Sequence, residues 1–234
     1  MDQSRWLDFL DYKRSYSLPE QISRREKRLL ARQVPFQKIL GYVDFSNLPI
    51  RIDQFVFIPR FETLEVIDLV AGLLRSGQSV CDLGCGSGLI GLTLKKSFPD
   101  LKITLVDKDP VAVKQTRINA LKNKLAVHVI RSDWFSNLKP QRQFDLIVAN
   151  PPYIKDSTHL DSSVVKHEPS HALFGGPDGN AAYRAILESF ASYLKPGGYL
   201  VFEIGPDNVS FLRSQNFNLK RDINGKWRIA YRRF

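Results

Sequence analysis

Residues 80–91 read VCDLGCGSGLIG, which places a glycine-rich loop between a short apolar run and the start of a helical pattern. Such a loop can bring its backbone close to a ligand, because glycine carries no Cβ atom. Around it, short apolar runs alternate with segments of helical periodicity, and this order predicts an α/β fold with a parallel sheet covered on both faces. The predicted strands are 79–83, 102–106, 127–130, 144–149 and 199–204, and the predicted helices between or beside them are 90–98, 110–123 and 181–194.

The segments that flank this alternation predict smaller units. Residues 1–33 alternate apolar and charged positions, a pattern that indicates a short helical N-terminal lobe of two helices. Residues 34–60 are richer in aromatic and β-branched side chains and predict a β-hairpin connector, so the main domain covers residues 61–234. Within that domain a helix is expected over 62–74, and Asn224-Gly225 favours a closing antiparallel hairpin near the C-terminus.

Composition narrows the class of protein. The 234 residues carry a formal net charge of +10, which favours contact with nucleic acid, a ribonucleoprotein or an acidic protein. The two cysteines, Cys81 and Cys85, have no second pair to complete a zinc site, so no metal is expected. No apolar run reaches membrane-spanning length and no signal-peptide pattern opens the chain, so we expect a cytoplasmic protein without membrane contact.

The spacing of Gly84, Gly86 and Gly88 distinguishes the loop from that of dinucleotide-binding proteins. The dinucleotide fingerprint has its third glycine at the position that Leu89 holds here. The observed spacing, with Asp82 before it, resembles the S-adenosyl-L-methionine loop of class I methyltransferases. That cofactor carries an ammonium and a sulfonium in place of phosphate, so a carboxylate at Asp82 suits its amino group.

Acidic residues after the next two strands extend the candidate cofactor site. Asp107 ends the second strand about twenty residues past the loop, where a ligand for ribose hydroxyls is expected in nucleotide-binding folds. Asp109 directly precedes Pro110 and is expected to cap the following helix. Asp133 and Trp134 follow the third strand. The Asp133 carboxylate can accept a hydrogen bond from the adenine amine of the cofactor, and the Trp134 indole can pack against the adenine ring.

The run Asn150-Pro151-Pro152-Tyr153 follows the strand at 144–149 and forms a candidate substrate site. Proline disfavours helical backbone at the residue before it, so Asn150 and Pro151 are expected to be extended. The two prolines also lack N–H donors, which leaves the Asn150 side-chain oxygen and main-chain carbonyls as acceptors beside the aromatic face of Tyr153. A planar NH2 group suits this corner.

Over residues 34–234 the chain resembles the release factor glutamine methyltransferases, the PrmC/HemK family of protein-(glutamine-N5) methyltransferases, with a shortened N-terminal domain. Phe61 and Leu64 stand where that family usually has a proline and an acidic residue. The segments that carry the resemblance recur in family order: PFQKILG at 35–41, IPRFET at 58–63, SDWF at 132–135, NPPYI at 150–154, EP at 168–169, GGPDG at 175–179 and YR at 183–184.

This resemblance implies a class I methyltransferase fold, Rossmann-like, with a mostly parallel seven-stranded sheet and helices on both faces. It implies methyl transfer from S-adenosyl-L-methionine to the side-chain nitrogen of the glutamine in the Gly-Gly-Gln motif of peptide chain release factors. Residues 150–153 would hold that glutamine, with Asn150, Pro151 and Tyr153 as the candidate catalytic residues. The implied cofactor contacts are Gly84, Cys85, Gly86, Ser87, Gly88, Asp107, Trp134 and Asn150.

Positioning is the expected source of catalysis, because the lone pair of an amide nitrogen is delocalised and the nitrogen is a weak nucleophile. Asn150 Oδ1 and the Pro151 carbonyl oxygen are expected to accept hydrogen bonds from the two N–H groups of the substrate amide, while Tyr153 packs on the plane of that amide. The loop 155–180 is long enough to close over a substrate. Its three histidines are predicted to be surface residues rather than general bases: His159, His167 and His171.

Two other functions stay open at this level. An RNA or DNA methyltransferase acting on an exocyclic amine, adenine N6 or guanine N2, would present an equally planar group, and the charge of +10 suits it. The connector, the Gly-Gly-Pro-Asp-Gly segment and the lack of room for a base-recognition domain argue against it, so direct nucleic acid binding is not favoured. A binding module without turnover is disfavoured by the intact glycine loop and proline corner.

Overall fold

The computed structural model describes residues 3–45, 47–141 and 143–234. None of the helices among these residues is both long and apolar enough to span a membrane. The α-helices are α1 (Gln3–Ser15), α2 (Arg24–Ala31), α3 (Phe36–Leu40), α4 (Thr63–Leu73), α5 (Leu89–Ser97), α6 (Pro110–Lys122), α7 (Ser162–His167), α8 (Ala181–Ser189) and α9 (Val209–Ser214). The strands are β1 (Tyr42–Phe45), β2 (Leu48–Arg51), β3 (Ser79–Leu83), β4 (Lys102–Asp107), β5 (His128–Arg131), β6 (Phe144–Ala149), β7 (Leu194–Glu203), β8 (Asn218–Arg221) and β9 (Trp227–Arg233).

The main sheet of the described chain has seven strands in the order β5-β4-β3-β6-β7-β9-β8. Neighbours from β5 to β7 pair in parallel, whereas β9 runs antiparallel to both β7 and β8. The chain builds from β3 to β4 and β5 on one side, and then places β6 and β7 on the other side. The order therefore reverses between β3 and β6, which is where ligands bind in open α/β sheets. This sheet confirms the predicted fold class.

Apolar side chains cover both faces of the sheet. Successive residues of a strand point to opposite faces, so Val80 and Leu146 belong to one apolar cluster while Cys81 and Ile147 belong to the other. A parallel sheet that is buried on both faces needs strands with nearly continuous apolar sequence. The predicted strand bounds at 79–83 match β3 for this reason.

One predicted helix is too long. The sequence predicts a helix over 181–194, but α8 ends at Ser189 and a 3₁₀ turn follows it. Leu194 begins β7 and pairs with Phe144 of β6. The carbonyl oxygen of Tyr193 accepts a hydrogen bond from the N–H of Phe144, so sheet pairing overrides the helical spacing of the apolar residues here.

The N-terminal helices share an apolar cluster of their own. Phe9 of α1, Leu30 of α2 and Ile39 of α3 are buried together. Helix α2 begins with a capping box, in which the Ser23 hydroxyl accepts from the Glu26 N–H and the Glu26 carboxylate accepts from the Ser23 N–H. Helix α3 is an addition to the prediction, since five residues are too few to show a helical period.

The predicted hairpin is present, because β1 and β2 pair antiparallel. Its apolar side chains belong to a cluster on one face of the main sheet rather than to the N-terminal cluster. Lys38 of α3 ties the lobe to the segment after β2, where its Nζ donates to three backbone carbonyl oxygens at 2.9, 2.8 and 3.1 Å. The domain boundaries after residues 33 and 60 stay predictions.

Candidate active site

A cavity opens at the carboxyl ends of β3, β4 and β6, where the strand order reverses. The glycine loop after β3, the turns after β4 and β5, and the corner at 150–153 all line it. Every cofactor and substrate residue predicted from the sequence lies in this lining except Gly88. The connector and the loop after α7 contribute the remaining wall, which includes Val56, Phe57, Pro59, Pro169, His171, Ala172 and Leu173.

The glycine loop is held against the end of β4. The N–H groups of Gly84 and Cys85 both donate to the carbonyl oxygen of Val106, at 2.8 and 2.9 Å. Gly84 and Gly86 have φ of +69° and +57°, in the left-handed region that costs glycine no steric penalty. The loop backbone therefore lies along the cavity from Gly84 to Ser87, all of which line it.

Gly88 and the Cys85 side chain serve the packing behind the loop. A Cβ atom on Gly88 would lie 3.0 Å from a Leu92 methyl carbon and 3.1 Å from the Thr116 methyl carbon. The Cys85 sulfur lies 3.6 Å from the Thr116 hydroxyl, and burial raises the pKa of this thiol. Gly88 thus sets the close approach of α5 and α6, and Cys85 stays a neutral thiol.

Asp82 is a buried carboxylate with an unused acceptor. Its Oδ2 accepts from the Gly91 N–H at 3.0 Å, while its Oδ1 is buried without a hydrogen-bond partner among the described residues. Burial, with a contribution from the charge of Asp107, raises the pKa of Asp82 to about 7. A cationic ligand group would satisfy the free oxygen, since an unpaired buried carboxylate is costly.

Asp107 is rigidly oriented at the end of β4. Its Oδ2 accepts from the Gly86 N–H and its Oδ1 accepts from the Asp109 N–H, both at 2.9 Å. Each carboxylate oxygen keeps a second lone pair, so the side chain can also accept from two vicinal hydroxyls. Burial raises the pKa of Asp107, and the two backbone donors oppose that rise.

The turn after β5 places an indole beside the glycine loop. Trp134 has φ of +45°, a left-handed conformation that costs a non-glycine residue about 1 kcal/mol or more. A Cβ atom on Gly84 would lie only 3.6 Å from the Trp134 ring, so the loop and the indole are neighbours. Asp133 is exposed and also lines the cavity. A strained residue at this position indicates selection for the site rather than for stability.

The corner at 150–153 is supported by polar contacts from two other elements. Asn150 Nδ2 lies 3.5 Å from Thr63 Oγ1, at the start of α4. The Thr63 hydroxyl in turn donates to Glu203 Oε2, at the end of β7, at 2.7 Å. Because Nδ2 faces Thr63, Asn150 Oδ1 is the atom of this amide left for the cavity.

Two glycines of the 175–179 segment press against the backbone of the corner. A Cβ atom on Gly175 would lie 2.5 Å from the Pro152 carbonyl oxygen, and one on Gly179 would overlap the Tyr153 carbonyl oxygen. The Gly175 N–H also donates to the carbonyl of Ile154 at 2.8 Å. The Gly-Gly-Pro-Asp-Gly segment is therefore a backing for the corner, which explains why glycine stands at both contact points.

The long loop after the corner is tied to the connector. Glu168 is 1% exposed, its Oε2 accepts from the Ile58 N–H at 2.8 Å, and its Oε1 forms an ion pair with Arg60. Residues on both sides of this tie, Phe57 and Pro169 among them, line the cavity. The loop therefore forms a wall of the site that Glu168 ties to the connector.

Of the three loop histidines, His171 lies at the cavity. Its side chain is 46% exposed, yet it lines the cavity and its Nε2 lies 3.2 Å from Asp109 Oδ2. Asp109 Oδ1 accepts from the Val111 N–H at 2.8 Å and caps α6, as predicted. His159 is exposed and His167 is half-buried.

Sequence reasoning missed Thr63 and Glu203 as parts of the site. Thr63 lies within the IPRFET segment that supports the family resemblance, but its side-chain partners depend on where α4 packs. Glu203 is an acidic residue directly after the apolar run 199–202, but its burial and its contact with Thr63 appear only once α4 packs beside β7.

Known proteins resemble this chain over most of its length. The family model described as Methyltransferase small domain matches residues 66–173. A release factor glutamine methyltransferase from Streptococcus pneumoniae is 36% identical over 210 residues, which cover 85% of this chain and 74% of that relative. One from Shewanella oneidensis is 37% identical over 227 residues, which cover 89% of this chain and 79% of the relative.

The fold is also shared with solved structures. The T. thermophilus 16S rRNA N2 G1207 methyltransferase in complex with AdoMet and guanosine has a TM-score of 0.60, over 82% of this chain and 49% of that chain. At 19% identity this likeness shows the fold alone. The identity that the two bacterial relatives share with this sequence, over most of both chains, shows that the chain belongs to the release factor glutamine methyltransferase family.

Proposed function

We propose that this chain transfers a methyl group from S-adenosyl-L-methionine to N5, the side-chain nitrogen, of the glutamine in the Gly-Gly-Gln motif of peptide chain release factors. The observation that carries the proposal is a single cavity lined by both the glycine loop after β3 and the proline corner at 150–153. A methyl donor and an acceptor amide must be held together for transfer, and one cavity provides for both. Two unpaired cysteines support a cytoplasmic setting.

The glycine-loop side of the cavity fits S-adenosylmethionine, the cofactor of this enzyme class. Asp82 supplies a carboxylate for the ammonium group, and its free Oδ1 is the acceptor that such a cation would fill. Asp107, with both oxygens fixed by backbone donors, suits the ribose hydroxyls. Asp133 and Trp134 suit the adenine amine and the adenine ring, since both line the cavity beside the loop.

The proline corner supplies acceptors for the glutamine amide. Asn150 Oδ1 and the Pro151 carbonyl oxygen accept hydrogen bonds from the two N–H groups of the glutamine amide, and Tyr153 packs on the plane of that amide. When bound, S-adenosylmethionine would supply an electrophilic methyl group to the amide nitrogen that the corner holds, and the displaced amide proton would leave to solvent. Burial raises the pKa of Tyr153 to about 12, so its hydroxyl stays protonated at neutral pH and is not a base.

Methyl-labelled S-adenosylmethionine tests the substrate directly. The protein is incubated with an intact release factor, with the same factor carrying alanine in place of the Gly-Gly-Gln glutamine, or with bulk RNA. We expect label on the intact factor alone. Label on RNA and none on the factor would refute the proposal in favour of exocyclic-amine methylation.

Replacement of Asn150 tests the role of the corner. Asn150→Ala removes a preorganised acceptor, and the loss of such a group typically lowers turnover by about 100-fold or more. Asn150 is also an implied cofactor contact, so binding of S-adenosylmethionine, measured by isothermal titration, should weaken far less than turnover. Asn218→Ala, on the exposed edge strand β8, is the matched control and should behave as wild type. Turnover that survives in Asn150→Ala would contradict the assigned role.

A further inference from the structure

A chain of three polar side chains ends at the proline corner. Glu203, the last residue of β7, is 1% exposed, and Thr63, the first residue of α4, is 3% exposed. The Thr63 hydroxyl donates to Glu203 Oε2 at 2.7 Å, and Asn150 Nδ2 lies 3.5 Å from Thr63 Oγ1. Side-chain contacts of this length in an active site commonly shorten when the substrate binds.

The direction of the hydrogen bonds along this chain is set at the Glu203 end. An ionised carboxylate can only accept, so the one proton of the Thr63 hydroxyl is committed to Glu203. The Thr63 oxygen is then an acceptor for Asn150, which must turn its NH2 toward Thr63 and its Oδ1 toward the cavity. If the direction were reversed, Asn150 would present NH2 to the NH2 of a substrate amide, and two donors would face each other.

The surroundings of Glu203 hold it at the edge of ionisation. The hydrogen bond from Thr63 favours the charged form, as does Arg228, whose Nη1 lies 4.0 Å from Glu203 Oε1. The negative charge of Glu62 disfavours the charged form of Glu203. The Tyr183 hydroxyl donates to the backbone carbonyl oxygen of Glu203 at 2.8 Å rather than to its carboxylate. Burial is the largest effect and raises the pKa of Glu203 to about 7.

We propose that Glu203 is a positioning residue for methyl transfer, which acts through the Thr63 hydroxyl to hold the Asn150 amide with Oδ1 toward the substrate. The identity of that substrate rests on the proposed function, whereas the orientation of Asn150 does not. Protonated Glu203 can donate to Thr63, which frees the Thr63 hydroxyl to donate to Asn150. The amide then loses its fixed orientation.

The orientation can be observed without any substrate. In ¹H–¹⁵N spectra of the full chain, the Asn150 side-chain NH2 pair is identified by its loss in Asn150→Ala. Lowering the pH from 8 to 5.5 should shift this pair in the wild type. The shift should vanish in Glu203→Gln and in Thr63→Val, which cut the chain at its end and its middle.

Asp82 needs a control because its carboxylate lines the same cavity and titrates near the same pH. The pH-dependent shift should persist in Asp82→Asn. A pair that does not move in the wild type, or that moves equally in Glu203→Gln, would overturn the proposal. This measurement decides the matter even if the acceptor proves not to be a release factor.

Kinetics then separate positioning from a merely structural role. Thr63→Val should lower kcat by about 10-fold or more, while the KM for release factor and the Kd for S-adenosylmethionine change less than about twofold. Thr63→Ser, which restores the hydroxyl, should recover most of kcat. Glu203→Gln should flatten the fall in kcat of the wild type below pH 7. Full kcat in Thr63→Val would overturn the proposal.

Discussion

Two carboxylates near the cavity are buried, which makes their ionised forms energetically costly. Asp82 and Glu203 are each 1% exposed, and burial raises the pKa of each to about 7. A protein selected for stability alone would replace such groups or pair them fully. Their environments differ, since Glu203 has Thr63 and Arg228 within reach whereas Asp82 Oδ1 has no partner within the described ranges. Asp82 is therefore the clearer case of stability exchanged for binding.

Asp82→Asn should raise stability and lower cofactor affinity. The pKa of Asp82 is about 3.8 in the unfolded chain and rises to about 7 in the fold, so the folded state holds this proton more tightly. The stability that this proton contributes is fully present below pH 3.8 and is lost as the pH rises through 7. At pH 8 the variant should gain roughly 2–4 kcal/mol in free energy of unfolding, and the gain should shrink toward pH 5. Urea titrations of the ligand-free protein at both pH values measure this.

The same variant should bind S-adenosylmethionine at least about 10-fold more weakly, because a neutral amide replaces the partner of the ammonium group. Asp8→Asn, on the exposed face of α1, is the matched control and should change neither quantity. An Asp82→Asn protein that is less stable at pH 8 would show that burial does not dominate the energetics of this carboxylate.

At the scale of elements, the ends of strands decide how much of the site the sequence could predict. Asp107 and Asn150 were predictable because each comes directly after an apolar run, and the carboxyl ends of parallel strands share one edge. Thr63 and Glu203 were not, because their contact requires α4 to pack beside β7, and packing between distant elements leaves no local pattern. The early end of α8 was missed for the same reason, because it depends on the pairing of Leu194 with Phe144 of the distant strand β6.

Segment 175–179 gives the element scale a direct test. Gly179→Ala should destabilise the protein and impair turnover, because φ is +75° and the new Cβ would overlap the Tyr153 carbonyl oxygen. Gly77→Ala is the matched control, with φ of +79° but no atom within 4 Å of its Cβ, and it should cost only the backbone penalty of about 1 kcal/mol. Urea unfolding and methyl transfer distinguish the two. Equal effects of both substitutions would show that contact with the corner is unimportant.

At the scale of the whole molecule, the alternation of β3 to β7 with α5, α6 and α8 was readable from the sequence, whereas α7 inside the predicted loop 155–180 and the closing of the cavity were not. The loop after α7 and the connector are separated by about a hundred residues, and no periodic pattern relates them. Glu168 joins them through a backbone N–H and an ion pair, and its carboxylate is buried, unlike those of the surface pairs. A buried pair of this kind is costly to break, because the partner left behind is unsatisfied.

Glu168→Ala should therefore release the loop from the connector. We expect a loss of about 2–4 kcal/mol in free energy of unfolding, faster tryptic cleavage in the loop after the corner, and a raised KM for release factor. Glu168→Gln keeps an acceptor for the Ile58 N–H and should show a smaller version of each effect. Glu20→Ala breaks the exposed Arg14–Glu20 pair and is the matched control, with wild-type cleavage expected because solvent replaces a surface partner readily. If Glu168→Ala and Glu20→Ala were cleaved at the same rate, the tie would not be what holds this wall of the cavity in place.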